Sequence, residues 1–135
     1  FYLSPDERAM VLDLHITLMQ SADEDGPRYR NVVRVVSQPV ASENARAWWL
    51  EPGTERLRVQ AGALLEQALL LALEDMQGAL ANTNTEQRTV RYLLGSDKLV
   101  ERAAIIDQHC GWIQLRTLRG ELMIVPDMAT SHCKD

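Results

Sequence analysis

The chain of 135 residues is long enough for one domain with a real core, and its 46% hydrophobic content excludes a disordered protein. Its net charge of −5 excludes the strongly basic field that is typical of proteins gripping nucleic acid over their whole surface. No apolar run approaches the length of a bilayer span, so no membrane partner is expected.

The composition also bears on the source and the compartment of the protein. Lys98 and Lys134 are the only lysines among 14 basic residues, and Ala, Leu and Val are abundant, a bias typical of GC-rich bacterial genomes. Two cysteines do not make a disulfide framework. We therefore expect a bacterial protein in a reducing, cytoplasmic compartment.

The first predicted element is a helix that begins at the segment SPDE. Ser4 can cap it, Pro5 suits the first helical position, and Glu7 completes a capping box. The following residues 10–19 carry apolar side chains at helical spacing, but some of them also alternate as in a strand. We predict a helix there, with a strand as the alternative, and an acidic loop at 21–27 after it.

The segment 29–37 is equally ambiguous. Its apolar residues recur at helical spacing, whereas its four valines favour a strand, so both assignments stay open. Residues 42–50 predict a short helix capped by Ser42. The adjacent Trp48 and Trp49 cannot both face one core pocket, and an exposed tryptophan is common in binding hot spots, so we predict a partner-binding role for this pair.

The clearest predicted element is a long helix from an N-cap at Thr54 to about Leu80. Its apolar stripe comprises Leu57, Ala61, Leu64, Leu65, Ala68, Ala72, Met76 and Leu80. Further leucines, including Leu70 and Leu73, widen that stripe well beyond one face. Such a helix is either central in the core or buries a second face against a partner. For the second case we predict that Leu70 and Leu73 bind the partner.

The C-terminal part predicts two more helices and a hairpin. The segment EQRTVRYLL predicts a short helix with Gly95 as its C-cap, and Ser96 predicts the cap of a second helix over 97–109. The segment WIQLRTLRGELMIV predicts two strands around a turn at Arg119-Gly120, closed by Pro126. Residues 127–135 are predicted to be a loose tail.

In element order alone, residues 57–125 resemble a winged helix. The resemblance implies a mainly α single domain over 1–135, with a winged-helix-like part at 54–126 built around one long central helix and ending in a β-hairpin. It also implies that helix 97–109 would enter the major groove of DNA. The DNA contacts would then come from Lys98, Arg102, Arg116 and Arg119. The acidic residues Asp97, Glu101 and Asp107 in the same helix weaken this hypothesis.

Two His-Cys pairs, His109-Cys110 and His132-Cys133, are the candidate metal ligands. Zinc accepts two Cys and two His, but its ligands normally come as spaced pairs, whereas adjacent helical residues point about 100° apart. Cys110 falls on the apolar stripe and fits a small core residue better. We predict no metal, no cofactor and no catalytic residues, since no glycine-rich phosphate loop, zinc-protease or serine-hydrolase motif is present.

These observations predict a small, non-enzymatic protein-interaction or regulatory (adaptor) protein. It would self-associate as a homodimer through the apolar surface of the long helix, and would bind another protein as well. The alternative hypothesis is a winged-helix DNA-binding transcriptional regulator.

Overall fold

The computed structural model describes residues 1–19, 27–80, 85–109 and 111–128. Within this part, strands take 47% of the residues and helices 24%. The strands are β1 (Tyr2–Leu3), β2 (Met10–Met19), β3 (Pro27–Val36), β4 (Gln87–Leu94), β5 (Asp97–His109), β6 (Trp112–Thr117) and β7 (Leu122–Pro126). The helices are α1 (Ala45–Leu50) and α2 (Glu55–Met76). The prediction of a mainly α domain is therefore wrong.

The described strands form one seven-stranded sheet in the order β1-β2-β3-β7-β6-β5-β4. All neighbouring strands in the sheet pair antiparallel except β3 and β7, which pair parallel. Between β3 and β7 the chain passes through both helices and through β4, β5 and β6. A parallel pair needs such a long crossover connection, whereas an antiparallel pair can close through a tight turn.

The sheet has an apolar core on both faces. Side chains on successive residues of a strand point to opposite faces, so Leu122 and Ile124 join one core while Met123 and Val125 join the other. The first core lies under α2, which contributes Leu64, Ala68, Leu71 and Ala72. In the second core, residues of β2, β3, β6 and β7 pack against Val90 and Tyr92 of β4 and Ala103 of β5.

The second core is closed by the curvature of the sheet itself. Edge strand β4 returns to the end of β7, where Tyr92 forms an isolated bridge with Asp127. The N-terminal turn holds the same end of the sheet, because the Asp6 carboxylate accepts a 2.7 Å hydrogen bond from the backbone N–H of Ser96. The Asp127 backbone N–H donates to the carbonyl of Gly111 at 3.0 Å, so ordered structure continues beyond Pro126.

The predicted N-terminal helix is wrong in a specific way. The Ser4 hydroxyl does accept a backbone hydrogen bond, from Ala9 at 3.0 Å, but the segment it closes is a turn. Glu7 has φ of 62°, a left-handed conformation that a continuing helix excludes. Residues 10–19 then form strand β2, as their alternation indicated, and the valines of 29–37 lie in strand β3.

The predicted helices on either side of Gly95 are also wrong, and with them the winged-helix resemblance. Residues 87–94 and 97–109 are β4 and β5, which pair directly from Leu94 with Asp97 onwards. Gly95 has φ of 61° and is the first of two loop residues, a position that favours glycine in hairpin turns. A Cβ on Gly95 would collide with the Asp6 carboxylate, so the turn fits closely against the N-terminal segment.

Three predicted elements are confirmed. The long helix begins after Thr54 and ends at Met76, shortly before the predicted end, and no side-chain hydrogen bond from Thr54 caps it. The short helix carrying the two tryptophans is present, with Asn44 rather than Ser42 as its cap: Asn44 Oδ1 accepts from Ala47 N at 3.1 Å. The C-terminal hairpin is present as β6 and β7.

Candidate functional site

The most distinctive surface of the described chain is the outer face of α2, opposite the sheet. It carries apolar side chains that are exposed to solvent by a third to two thirds. They are Val59 at 63%, Leu65 at 37%, Leu69 at 43%, Leu70 at 54% and Leu73 at 48%. We refer to these five residues, together with Arg58, Gly62 and Glu66, as the outer face. Exposed apolar groups scattered singly are ordinary, but a contiguous row of them marks an interaction site.

The helical period explains why both sides of α2 are apolar. Residues three and four apart lie on one face, so Leu64, Ala68, Leu71 and Ala72 point together into the sheet core. Val59, Gly62, Glu66, Leu69 and Leu73 follow the same spacing on the opposite side. A surface helix normally carries polar residues there, so α2 departs from the usual pattern over about four turns.

Gly62 is the residue of the outer face that the fold of the single chain does not require. It lies in the interior of α2, and a Cβ placed on it would meet no atom within 4 Å. A helix-interior glycine costs about 1 kcal/mol relative to alanine. Glycine at such a position allows another backbone to approach closely.

A small cavity extends the outer face towards the sheet. It has a volume of about 230 Å³ and opens beside Leu70, between α2 and β6, with Trp112 and Gln114 on the sheet side. Gln67 lines this cavity, and its side-chain oxygen is buried without a hydrogen-bond partner among the described residues. The accessible surface of the cavity is mainly apolar.

The two tryptophans lie on α1, which packs against the beginning of α2. Their rings meet edge to face, 4.9 Å apart at an interplanar angle of 86°. Trp49 is 1% exposed and donates from its indole to the carbonyl of Glu7 at 2.7 Å. Trp48 is half-buried, and the guanidinium of Arg56 covers its ring at 4.5 Å. Leu50, at the end of α1, is an apolar residue that is 47% exposed to solvent.

The structure places Leu70 and Leu73 on the exposed outer face, and their partner-binding role stays a prediction. It places Trp49 in the core, where its surface is not available to a partner, and Trp48 under Arg56. Val59, Leu65 and Leu69 were not selected from the sequence as binding residues. The signal for Val59 and Leu69 is the second stripe at helical spacing, with a glycine inside it; Leu65 lies outside that stripe.

The inner face of α2 ends in a polar network at Asp75. Its carboxylate accepts from the Tyr29 hydroxyl at 2.6 Å and from Arg116 at 2.7 Å, with Asn31 further away at 3.4 Å. Burial opposes ionisation of Asp75, but the hydrogen bonds from Tyr29 and Arg116 outweigh it, so its pKa is lowered. Burial and the bond to Asp75 raise the pKa of Tyr29 to about 12.

Of the four predicted nucleic-acid contacts, the structure brings Arg102 and Arg119 together, in the lining of one shallow pocket. Arg116 is held by Asp75 under α2, and Arg119 lies in the turn between β6 and β7. Lys98 and Arg102 are exposed on β5, where the Arg102 guanidinium donates to Thr89 Oγ1 at 3.3 Å. The predicted groove-reading helix 97–109 is a strand, which removes the basis of the winged-helix DNA hypothesis.

A polar cleft of about 340 Å³ lies on the side of the sheet away from α2. Arg34 and Asp13 form a bidentate pair in its wall, at 2.6 and 3.0 Å, and the Tyr2 hydroxyl donates to the same carboxylate. This arrangement lowers the pKa of Asp13, chiefly through the hydrogen bond from Arg34. Asp13 lies on β2 opposite Arg34 on β3, so this ion pair is an ordinary contact between neighbouring strands.

Among the described residues, no group of three or more His, Cys, Asp and Glu side chains is arranged to hold a metal ion. His109 lies on β5 and pairs with Asp107. Cys110, His132 and Cys133 lie outside the described residues, as does most of the acidic loop at 21–27. Within the same described ranges, no helix is both long enough and apolar enough to cross a membrane.

Comparison with known proteins gives no match to a protein-family model, a curated protein or a solved structure.

Proposed function

We propose that this protein is a small protein-interaction or regulatory (adaptor) protein, and that the outer face of α2 is its docking surface. A single observation carries the proposal. Five apolar side chains stand exposed along one side of one helix, while the inner side of the same helix already supplies the core. Covering them removes apolar area from water, at about 25 cal/mol per Å².

The chemistry of this surface favours binding over catalysis. The outer face holds leucines, one valine, one glycine and two charged residues, and it has no nucleophile with an adjacent base. The cavity beside Leu70 gives a place for an anchoring side chain of the partner. Anchors that fill such recesses dominate the energy of many interfaces.

Site-specific photo-crosslinking in the native cell tests this proposal. A photoreactive phenylalanine analogue replaces Leu70, and a matched control replaces Val100, which is 62% exposed on β5. We expect a cross-linked protein adduct from position 70 and none from position 100. Absence of an adduct at position 70, or equal adducts at both positions, overturns the proposal. The mass of the adduct identifies the partner.

A further inference from the structure

We propose that the partner of the outer face is a second copy of this chain, whose α2 crosses antiparallel at Gly62 so that Arg58 of each copy faces Glu66 of the partner subunit. This inference rests on the docking role proposed for α2 and adds the identity and the register of the partner. Three observations on α2 carry it: the position of its unneeded glycine, the order of its charges and the extent of its apolar surface.

The glycine fixes the point of crossing. Gly62 is the smallest residue on the outer face, and the space beside it is empty of this chain's own atoms. The interaxial distance of packed helices, about 8–10 Å, depends on the side chains at the contact. Two helices that cross at Gly62 approach at the short end of that range, because no side chain separates their backbones.

The charges fix the direction. Arg58 and Glu66 lie four residues before and four residues after Gly62, on the same ridge of the helix. A two-fold axis through Gly62 places each Arg58 beside Glu66 of the partner subunit. It also places Val59 beside Leu65 of the partner subunit. A parallel arrangement would instead set Arg58 against Arg58 and Glu66 against Glu66, which repel.

Both charged residues are free for this role within the described chain. Arg58 is largely exposed, and its ion pair with Glu55 is long, at 4.0 Å, between two exposed side chains. Such an exposed ion pair contributes little to the stability of the fold. Glu66 is exposed and forms no ion pair within the described residues. Neither side chain is engaged in holding the fold.

The ends of α2 agree with this direction. The first turns carry Arg56 and Arg58 against one acid, Glu55, and the last turn carries Glu74 and Asp75 with no basic residue. A net positive N-terminus and an acidic C-terminus oppose the helix dipole in a single chain. In an antiparallel pair, the basic end of one helix lies towards the acidic half of the other.

The apolar area extends beyond the crossing point. Leu69, Leu70 and Leu73 continue the outer face towards the C-terminus of α2. In an antiparallel pair, these leucines of one copy lie on one side of the crossing and those of the second copy lie on the other side. The interface is therefore apolar on both flanks, with the two Arg58–Glu66 pairs at its rim.

Charge reversal with sedimentation equilibrium, over a range of protein concentrations at low salt, tests the inference. We expect the wild-type chain to dimerise, and Arg58→Glu and Glu66→Arg each to weaken the dimer by about tenfold or more, since both pairs become repulsive. We expect the double variant Arg58→Glu/Glu66→Arg to recover dimerisation, because the swapped charges face each other again. Arg91→Glu, an exposed reversal on β4, is the matched control and leaves the dimer unchanged.

A second variant tests the close approach. Gly62→Leu keeps the helix, because leucine is a good helix former, and its side chain enters open space in the single chain. We expect far-ultraviolet circular dichroism to stay unchanged while the dimer is lost.

Several outcomes overturn the inference. They are a wild-type chain that stays monomeric at all concentrations, a double variant that remains as weak as the single ones, and a Gly62→Leu chain that still dimerises. The proposed function is separate: a photo-crosslinked adduct at position 70 with a different protein would support it while overturning the second-copy inference.

Discussion

Both faces of α2 are rich in leucine, but their surroundings are opposite. Leu71 is 2% exposed and belongs to the core under the sheet, whereas Leu70, its neighbour in the chain, is 54% exposed. Both are leucines in the middle of one helix. An apolar side chain favours burial wherever it lies on the helix. The fold decides which apolar side chains are buried within the chain and which stay exposed to a partner.

The largest expected contrast is between alanine substitutions at these two neighbours. Leu71→Ala removes a buried side chain and leaves a cavity, so we expect the free energy of unfolding to fall by about 2–5 kcal/mol. Leu70→Ala removes a half-exposed side chain and should change it by about 0.5 kcal/mol or less in dilute protein. Urea denaturation at low protein concentration measures both. Equal losses would show that the two faces are not distinct.

A smaller effect is expected where the inner face becomes polar, at Asp75. Asp75→Asn weakens the hydrogen bonds from Tyr29 and Arg116 and leaves the Arg116 charge without its partner. We expect the free energy of unfolding at neutral pH to fall by about 2 kcal/mol. The matched control is Glu55→Gln, which removes the acid of an exposed pair on the same helix and should cost almost nothing.

Acid pH should also reveal the stabilising contribution of Asp75. Because the pKa of Asp75 is lowered in the folded state, its stabilising contribution is complete above its unfolded pKa and is lost as the pH falls through the folded value. The wild-type chain should therefore lose more stability than Asp75→Asn between neutral and acid pH. An identical pH dependence of the two chains, followed by denaturation, would exclude a stabilising network at Asp75.

The smallest expected effect is a gain on the outer face. In dilute, monomeric protein, Gly62→Ala should raise the free energy of unfolding by about 1 kcal/mol, because alanine favours the helix and no atom opposes its Cβ. In concentrated protein the gain should shrink or reverse, since the added methyl groups separate the two helices. Thermal unfolding at two concentrations measures this change of sign, and a concentration-independent gain would argue against close contact at Gly62.

Local signals predicted some elements well and others poorly, for physical reasons. The helix at 55–76 was predictable because strong helix formers and apolar spacing agree over many turns. The segment at 97–109 was not, because Leu99, Val100, Ala103 and Ile106 fit a helical face while the chain forms a strand. Its alternating exposure is interrupted by an irregular register near Ile105, which blurs the strand pattern in the sequence.

The turn at Gly95-Ser96 had a usable signal that the helical interpretation overrode. A glycine followed by serine between two apolar segments is typical of a two-residue hairpin loop, and both flanking segments are strands here. The candidate site was predicted in part. Leu70 and Leu73 are exposed on the long helix, but nothing local distinguished the buried Trp49 from the half-buried Trp48.

By itself, the sequence determined the long helix, the C-terminal hairpin and the excess of apolar residues on α2. Each of these depends on contacts within a few helical turns or across a short loop. Only the tertiary structure decided that residues 10–19 and residues 97–109 are each strands. It also decided that β3 lies beside β7 and which side of α2 meets the sheet. Those outcomes depend on partners far apart in the chain. The hydrophobic pattern of one segment indicates that its apolar side chains favour burial, and the rest of the fold determines which residues bury them.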